Sequence, residues 1–98
     1  MRLEAPYATG YRIERRAVKM LEDLGYIVVR SAGSHGPFDL VAISPDDIRL
    51  VQIKVMPFNA NRTFFKQRLA LKRIAVPLVC RKEFWIYEIR RGWHFYQC

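Results

Sequence analysis

Apolar residues recur every three or four positions in two stretches of the chain, the spacing of one face of an α-helix. In Arg12–Leu24 they are Ile13, Ala17, Met20, Leu21 and Leu24. Gly25 follows at once and is typical of a helix C-terminus. In Arg62–Ala75 they are Phe64, Phe65, Leu69, Leu71 and Ala75. Because Pro77 blocks further helix, the pattern predicts two helices that end near these positions.

The other apolar residues form short runs rich in β-branched and aromatic side chains, which is typical of strands. The runs are Tyr26–Arg30, Phe38–Ile43, Ile48–Val55, Leu78–Arg81, Phe84–Ile89 and Trp93–Gln97. Ser44–Asp47 is a turn signal that joins the second and third runs into a hairpin, and Arg90–Gly92 is a second turn. We predict an α/β domain with a mixed β-sheet flanked by helices, and two or three strands in its C-terminal part.

Length and charge restrict the class of protein. A chain of 98 residues supports one domain, residues 1–98. Its net charge of +8 favours a polyanion, above all a nucleic acid, and Ile48–Lys82 holds nine Lys or Arg and no carboxylate. No membrane span or signal peptide is visible, so we expect a cytoplasmic protein, in the host cytoplasm if it is viral, with no membrane partner and no small-molecule cofactor.

Three polar residues stand among apolar ones on the predicted hairpin. If Ser44–Asp47 closes a regular turn with Ile43 facing Ile48, Asp39 lies opposite Gln52, and Lys54 projects from the same face. A carboxylate, an amide and an ammonium on a largely buried sheet are costly without partners or an ion. We interpret them as a functional cluster, the alternative being a structural polar network.

Glu14 can bring a second carboxylate to this cluster. It shares one side of the first helix with Val18 and Leu21, whereas the basic pairs Arg12/Arg16 and Arg15/Lys19 lie around the other side. If the helix packs on the hairpin, Glu14 and Asp39 become hard oxygen ligands of the kind that Mg²⁺ prefers, with waters and a substrate phosphate. The sequence therefore predicts a site for Mg²⁺, with Mn²⁺ as a substitute.

The order of these motifs resembles that of the archaeal-type Holliday junction resolvases of the PD-(D/E)XK nuclease superfamily. The matching segments are Glu14-Arg15, Gly25-Tyr26, Val29–Ser34, Pro37–Ala42, Gln52-Ile53-Lys54 and Gly92–Phe95. The resemblance implies a restriction-endonuclease-like fold and Mg²⁺-dependent phosphodiester hydrolysis by a homodimer that makes paired nicks in four-way DNA junctions.

The same resemblance assigns roles to individual residues. It makes Glu14 and Asp39 metal ligands, and gives Lys54 the task of stabilising charge or orienting the attacking water. Arg30 matches a basic strand end, and Ser34 a loop that contacts the junction.

Gln52 departs from the family pattern, which has Glu at this position. An amide oxygen can still bind a hard cation, and we count Gln52 as a third metal ligand, but it brings no charge and cannot act as a base. Mrr-like restriction nucleases are similar to this chain in having Gln here. Two alternatives follow: an Mrr-like or other PD-(D/E)XK nuclease acting on duplex DNA, and a catalytically weakened DNA-binding homologue.

Basic and aromatic side chains complete the hypothesis. The predicted DNA-binding residues are Arg12, Arg15, Arg16, Lys19, Arg30, Ser34, Arg62 and Lys66. The candidate dimer-interface residues are Phe64, Phe65, Trp85 and Trp93. His94 lies among aromatic residues and is interpreted as a packing residue. Contacts to phosphates make affinity independent of sequence and dependent on salt.

Overall fold

The first helix is longer than its apolar spacing predicts. The structure is a computed structural model that describes residues 6–31 and 36–98, and helix α1 spans Pro6–Asp23. Proline suits the first turn, where its missing N–H has no intrahelical acceptor. The helix ends as expected at Gly25, whose φ is 97°. The amides of Gly25 and Tyr26 donate to the carbonyls of Glu22 and Leu21, at 2.9 and 3.1 Å, which satisfies the last turn.

Five strands form one mixed sheet, as predicted. They are β1 (Ile27–Arg30), β2 (Leu40–Ile43), β3 (Ile48–Met56), β4 (Cys80–Glu88) and β5 (Gly92–Gln97). The strands lie side by side in chain order. Neighbours are antiparallel except β3 and β4, which are parallel and are connected through the second helix. The C-terminal part has two strands, because the predicted runs Leu78–Arg81 and Phe84–Ile89 join into the single strand β4, which begins after a turn at Leu78 and Val79. Across the described residues, no helix is long and apolar enough to cross a bilayer.

The predicted hairpin register is confirmed over β2 and β3. Ile43 pairs with Ile48, and the ladder continues to Leu40 and Val51. The Ser44 side chain fixes the turn, since its Oγ accepts from the Asp46 and Asp47 amides at 3.2 and 3.1 Å.

The second helix, α2, is shorter than predicted and spans Phe65–Lys72. It starts late because Phe64 has a left-handed φ of 53°, which a helix cannot include. It stops early because the ammonium of Lys82, on β4, donates to the carbonyls of Leu71 and Lys72, at 2.8 and 2.9 Å, and to that of Ile74. A lysine on another element thereby caps the helix.

The two helices cover opposite faces of the sheet. We call these the α1 face and the α2 face. Helix α1 packs against β1 and β3, and α2 packs against β4. The core of the α1 face comprises Ala17, Leu21, Leu40, Ala42, Val51 and Trp85. The core of the α2 face comprises Met56, Leu71, Phe84 and Ile86.

Part of the α2 face lacks a helix. Val28 on β1 packs in the α1-face core, so its neighbours Ile27 and Val29 point to the α2 face. They are 72% and 53% exposed, and Ile43, which pairs with Ile27, is 41% exposed. We call Ile27, Val29 and Ile43 the uncovered apolar face.

Candidate active site

Asp39 connects the ends of three strands. Its amide donates to the carbonyl of Val51 at 2.8 Å, and its carbonyl accepts from the Ser31 amide at 2.9 Å. Its carboxylate Oδ2 accepts from the Ile53 amide at 2.7 Å. A short hydrogen bond to a carboxylate is stronger than one between neutral groups. The site is therefore built on the backbone where β2 begins.

The predicted pairing of Asp39 with Gln52 is wrong in detail. The β2–β3 ladder ends at Leu40, and the Asp39 amide reaches Val51 instead of continuing the register. The physical reason is that the Ile53 amide donates to the Asp39 side chain and not to a backbone carbonyl of the neighbouring strand. This arrangement still holds the carboxylate against the β3 residue between Gln52 and Lys54.

Gln52 and Lys54 point to the same face, as predicted. They pair with Phe84 and Ile86 on β4, and both partners belong to the core of the α2 face. Both side chains are half-buried. Asp39 therefore contacts the backbone of Ile53, and the two residues that flank Ile53 both point to the α2 face.

Glu14 points inward from α1, also as predicted. Its side chain is only 20% exposed, and its Oε1 lies 2.8 Å from Nε of Arg30, at the end of β1. The hydrogen bond from Arg30 to Glu14 raises the pKa of the guanidinium, against the opposing effect of burial. The Arg30 guanidinium also lies 5.0 Å from the centre of the Tyr11 ring. Arg30 therefore holds Glu14 on the α1 face, whereas Gln52 and Lys54 point to the α2 face.

Electrostatics links Asp39 to both of its charged neighbours. Burial raises the pKa of Asp39 above its ordinary value, and the negative charge of Glu14 raises it further. The hydrogen bond from Ile53 and the positive charge of Lys54 lower the pKa, but not enough to cancel these effects. Two carboxylates thus share a partly buried site in which their negative charge is incompletely neutralised.

The predicted metal ligands comprise two acids and one amide. Among residues 6–31 and 36–98, no three His, Cys, Asp or Glu side chains gather in an arrangement that could hold a metal ion. Gln52 occupies the position where the family pattern has Glu, and its amide does not count toward such a group. The assignment of Glu14, Asp39 and Gln52 as ligands stays a prediction.

A basic groove of about 440 Å³ runs along α1. Its lining residues are Arg12, Arg15, Arg16, Val18, Lys19, Glu22 and Arg30. It brings together all the predicted DNA-binding residues of α1 with Arg30, the residue that contacts Glu14. Arg16 is held by Tyr87, whose hydroxyl oxygen it approaches to 3.2 Å. We call this surface the α1 groove.

The other predicted DNA-binding residues are not in the α1 groove. Arg62 lines a cavity on the α2 face, and Lys66 is exposed on α2. Ser34 lies outside the described residues.

The aromatic residues proposed for an interface divide into different environments. Trp85 is 3% exposed, and Phe64 packs against the α2-face core, so both are core residues. Trp93 is half-buried against the α1-face core. Phe65 is 64% exposed.

The interpretation of His94 as a packing residue is wrong. Its side chain is 42% exposed, and Nε2 lies 2.9 Å from Oε1 of the buried Glu88. Glu88 also accepts from the Asn59 amide at 2.9 Å and lies 3.6 Å from Nε of Arg91. The hydrogen bonds from Asn59 and His94 lower the pKa of Glu88. Sequence reasoning missed this network, although alternation along β4 and β5 places Glu88 and His94 on one face.

A mixed sheet between two helices, with Asp39, Gln52 and Lys54 at its centre, is the arrangement of a restriction-endonuclease-like α/β domain. The model of the archaeal Holliday junction resolvase (Hjc) family matches residues 5–69. The chain therefore belongs to this family. The structure of Archaeoglobus fulgidus Hjc, a Holliday junction resolvase from an archaeal hyperthermophile, is similar, with a TM-score of 0.64 and 21% identity over 91% of this chain and 72% of that one. It shares the fold.

Proposed function

We propose that this protein is a metal-dependent endodeoxyribonuclease that resolves four-way DNA junctions by paired nicks, as a homodimer. The observation that carries the proposal is the position of Asp39, which is held by the Ile53 amide between Gln52 and Lys54 and lies near enough to Glu14 for that charge to act on it. Membership of the Hjc family supports the reaction class. The charges of Glu14 and Lys54 both act on the pKa of Asp39, which supports a common site.

The donor set fits a hard divalent cation. Asp39 and Glu14 together bring negative charge to a partly buried place, and a cation there offsets the repulsion that raises the pKa of Asp39. Mg²⁺ takes one or two carboxylates with water and phosphate, and Mn²⁺ accepts similar ligands. The amide oxygen of Gln52 is the third ligand in this proposal. When bound, such an ion activates water and neutralises charge on the phosphate.

Two basic residues have separate tasks in the proposed reaction. Lys54 directs its ammonium to the negative charge that develops on the phosphate as water adds and the bond to the leaving oxygen breaks. Arg30 is a positioning residue, because its 2.8 Å bond fixes the Glu14 carboxylate. Lys54 thus acts on the substrate, and Arg30 acts through Glu14.

The α1 groove is the proposed binding surface for a junction arm. Arg30 lines this groove, and Arg30 is also the residue that contacts the Glu14 carboxylate. Arginine and lysine bind phosphates whatever the base sequence, which suits a nuclease that reads shape.

A second copy of the chain is the proposed occupant of the uncovered apolar face. Two symmetric cuts need two sites, and each chain carries one. Ile27 and Val29 stand next to each other on that face at the edge of the sheet. Exchange of both for glutamate is expected to give monomers that bind junctions weakly. Leu24→Glu is the matched control, since Leu24 is 65% exposed at the end of α1. Dimerisation of the double variant in sedimentation would contradict this assignment.

The decisive experiment compares a labelled four-way junction with linear duplex of the same sequence. With Mg²⁺, the wild type is expected to nick the junction symmetrically and to ignore the duplex, and Asp39→Asn is expected to bind but not to nick. Equal cutting of both substrates favours the duplex-nuclease alternative. Binding without nicking by the wild type, in Mg²⁺ or Mn²⁺, favours a weakened DNA-binding homologue, for which the uncharged Gln52 is the specific indication.

A further inference from the structure

A cavity of about 410 Å³ opens on the α2 face beside the proposed active site. It lies between the segment that precedes α2 and the strands β4 and β5. Lys54 pairs with Ile86, and Ile86 pairs with His94, so the three residues form one row across the sheet. Two strand spacings separate Lys54 from His94, a distance of about 10 Å. Ile86 and His94 line the cavity, which therefore adjoins the site.

Two arginines are held at the wall of this cavity. The guanidinium of Arg62 lies 4.9 Å from the centre of the Phe64 ring, and that of Arg91 lies 5.3 Å from the centre of the Phe58 ring. Cation–π contacts of this kind fix the direction of a guanidinium. Its planar set of donors matches the oxygens of a phosphate. The wall is thus prepared for an anion with several oxygens.

Glu88 organises the cavity without cancelling its charge. This carboxylate is 4% exposed as a residue and is committed to the Asn59 amide, His94 and Arg91. With His94 neutral, the two arginines and one carboxylate leave the cavity with one positive charge. Glu88 therefore connects the loop at Asn59 to the sheet and orients the side chains of His94 and Arg91.

The loop that forms the rim is strained. Asn59, Asn61 and Phe64 have φ values of 60°, 55° and 53°. Asparagine tolerates this left-handed region, but phenylalanine adopts it only where the surrounding structure requires it. The strain turns Asn61 and Arg62 toward the cavity, where both are lining residues.

From this geometry we infer that the cavity binds a backbone phosphate of the DNA strand that is being cut, near the scissile phosphate. The inference rests on the proposed function and deepens it. Arg62 and Arg91 are the charged ligands, and Asn61 is a polar one. Because the cavity is about 10 Å from Lys54, its phosphate sets the position of the strand and so the place of the cut.

The first test measures junction affinity against salt in the Asp39→Asn background. Arg62→Gln and Arg91→Gln are each expected to weaken binding and to reduce the slope of log K against log salt by about 0.9. When salt rises from 50 to 200 mM, both the parent and the variants bind more weakly. The factor by which each variant weakens is then about 3.5 times smaller than the factor for its parent. Arg90→Gln is the matched control, because Arg90 lies in the same turn but does not line the cavity. Arg91→Gln behaving as Arg90→Gln would overturn the inference.

The second test replaces single phosphates on either side of the cut by neutral methylphosphonates. One position is expected to weaken the parent, but not the Arg62→Gln variant, because both changes remove the same contact. Additive losses at every position would exclude a specific phosphate site. Arg62→Gln is preferred for this cycle, since it leaves the pairs of Glu88 intact, and thermal unfolding checks the fold.

The two proposals fail in different ways. If the wild type neither binds nor nicks junctions, the proposed function fails. If the wild type nicks junctions and Arg91→Gln keeps the salt slope of its Asp39→Asn parent, as Arg90→Gln does, only the phosphate cavity fails.

Discussion

Replacement of Gln52 by glutamate restores the carboxylate of the family pattern and measures how close this position is to Asp39. The Asp39 carboxylate lies 2.7 Å from the amide nitrogen of Ile53, the residue after Gln52. If a carboxylate at position 52 turns toward that of Asp39, two like charges about 5 Å apart repel by about 0.8 kcal/mol in water and about 3 kcal/mol at an effective dielectric constant of 20. Since both side chains are half-buried, we expect about 1–3 kcal/mol.

This repulsion has opposite consequences with and without the ion. In EDTA at pH 7, Gln52→Glu is expected to unfold at lower urea, with a free energy of unfolding smaller by about 1–3 kcal/mol. A divalent cation relieves the repulsion on binding. The Mg²⁺ concentration for half-maximal nicking is therefore expected to fall about five- to a hundredfold, since 1.4 kcal/mol is a factor of ten.

Two assays and one control decide the outcome. Nicking of a labelled junction is titrated with Mg²⁺, and urea unfolding is followed in EDTA. Gln67→Glu adds the same charge at an exposed position of α2 and is expected to change neither result. An unchanged Mg²⁺ requirement together with unchanged stability would show that residue 52 is outside the site. Lower activity at saturating Mg²⁺ would show that the amide has a role of its own.

Three further predictions follow from the charges. Burial and Glu14 raise the pKa of Asp39, so its ionised form destabilises the metal-free fold; Asp39→Asn is expected to raise the urea midpoint in EDTA at pH 7, with a gain that fades as pH falls through the raised folded-state pKa and is absent below the unfolded value of about 3.9. Glu88 has a lowered pKa and stabilises the fold when ionised; the loss caused by Glu88→Gln in thermal unfolding is expected at neutral pH and to shrink as pH falls below about 4.3. Replacing Arg12 and Arg16 by glutamine is expected to reduce the salt slope of junction binding by about 1.8, and an unchanged slope would place the arm elsewhere.

Short-range patterns predicted much of the fold. The four-residue turn at Ser44–Asp47 was enough to give the register of β2 and β3, because a turn of known length leaves one pairing that buries the apolar face. Periodicity gave the end of α1 at Gly25. It could not give the early end of α2, which depends on Lys82, a residue brought there by the sheet.

The site was predictable where alternation and periodicity decide the direction of a side chain. Gln52 and Lys54 follow from alternation, and Glu14 follows from the helical period. The hydrogen bond from the Ile53 amide to the Asp39 carboxylate was not predictable, because a side chain there takes the place of a backbone acceptor between β2 and β3. The cavity was also missed. It forms where the loop around Asn59 contacts Glu88 on β4, and no sequence pattern at either residue predicts that contact.

The two halves of the candidate active site have different mechanical support. Gln52 and Lys54 lie on β3, which has hydrogen-bonded neighbours on both sides, whereas Arg30 ends a four-residue strand at the border of the sheet. Short border strands open more readily than central ones. A brief opening of β1 would release Glu14 from its anchor while Lys54 stays in place. Hydrogen exchange should therefore divide the candidate active-site residues into an early-exchanging group and a late-exchanging group, and β1 would limit the time for which the site is complete.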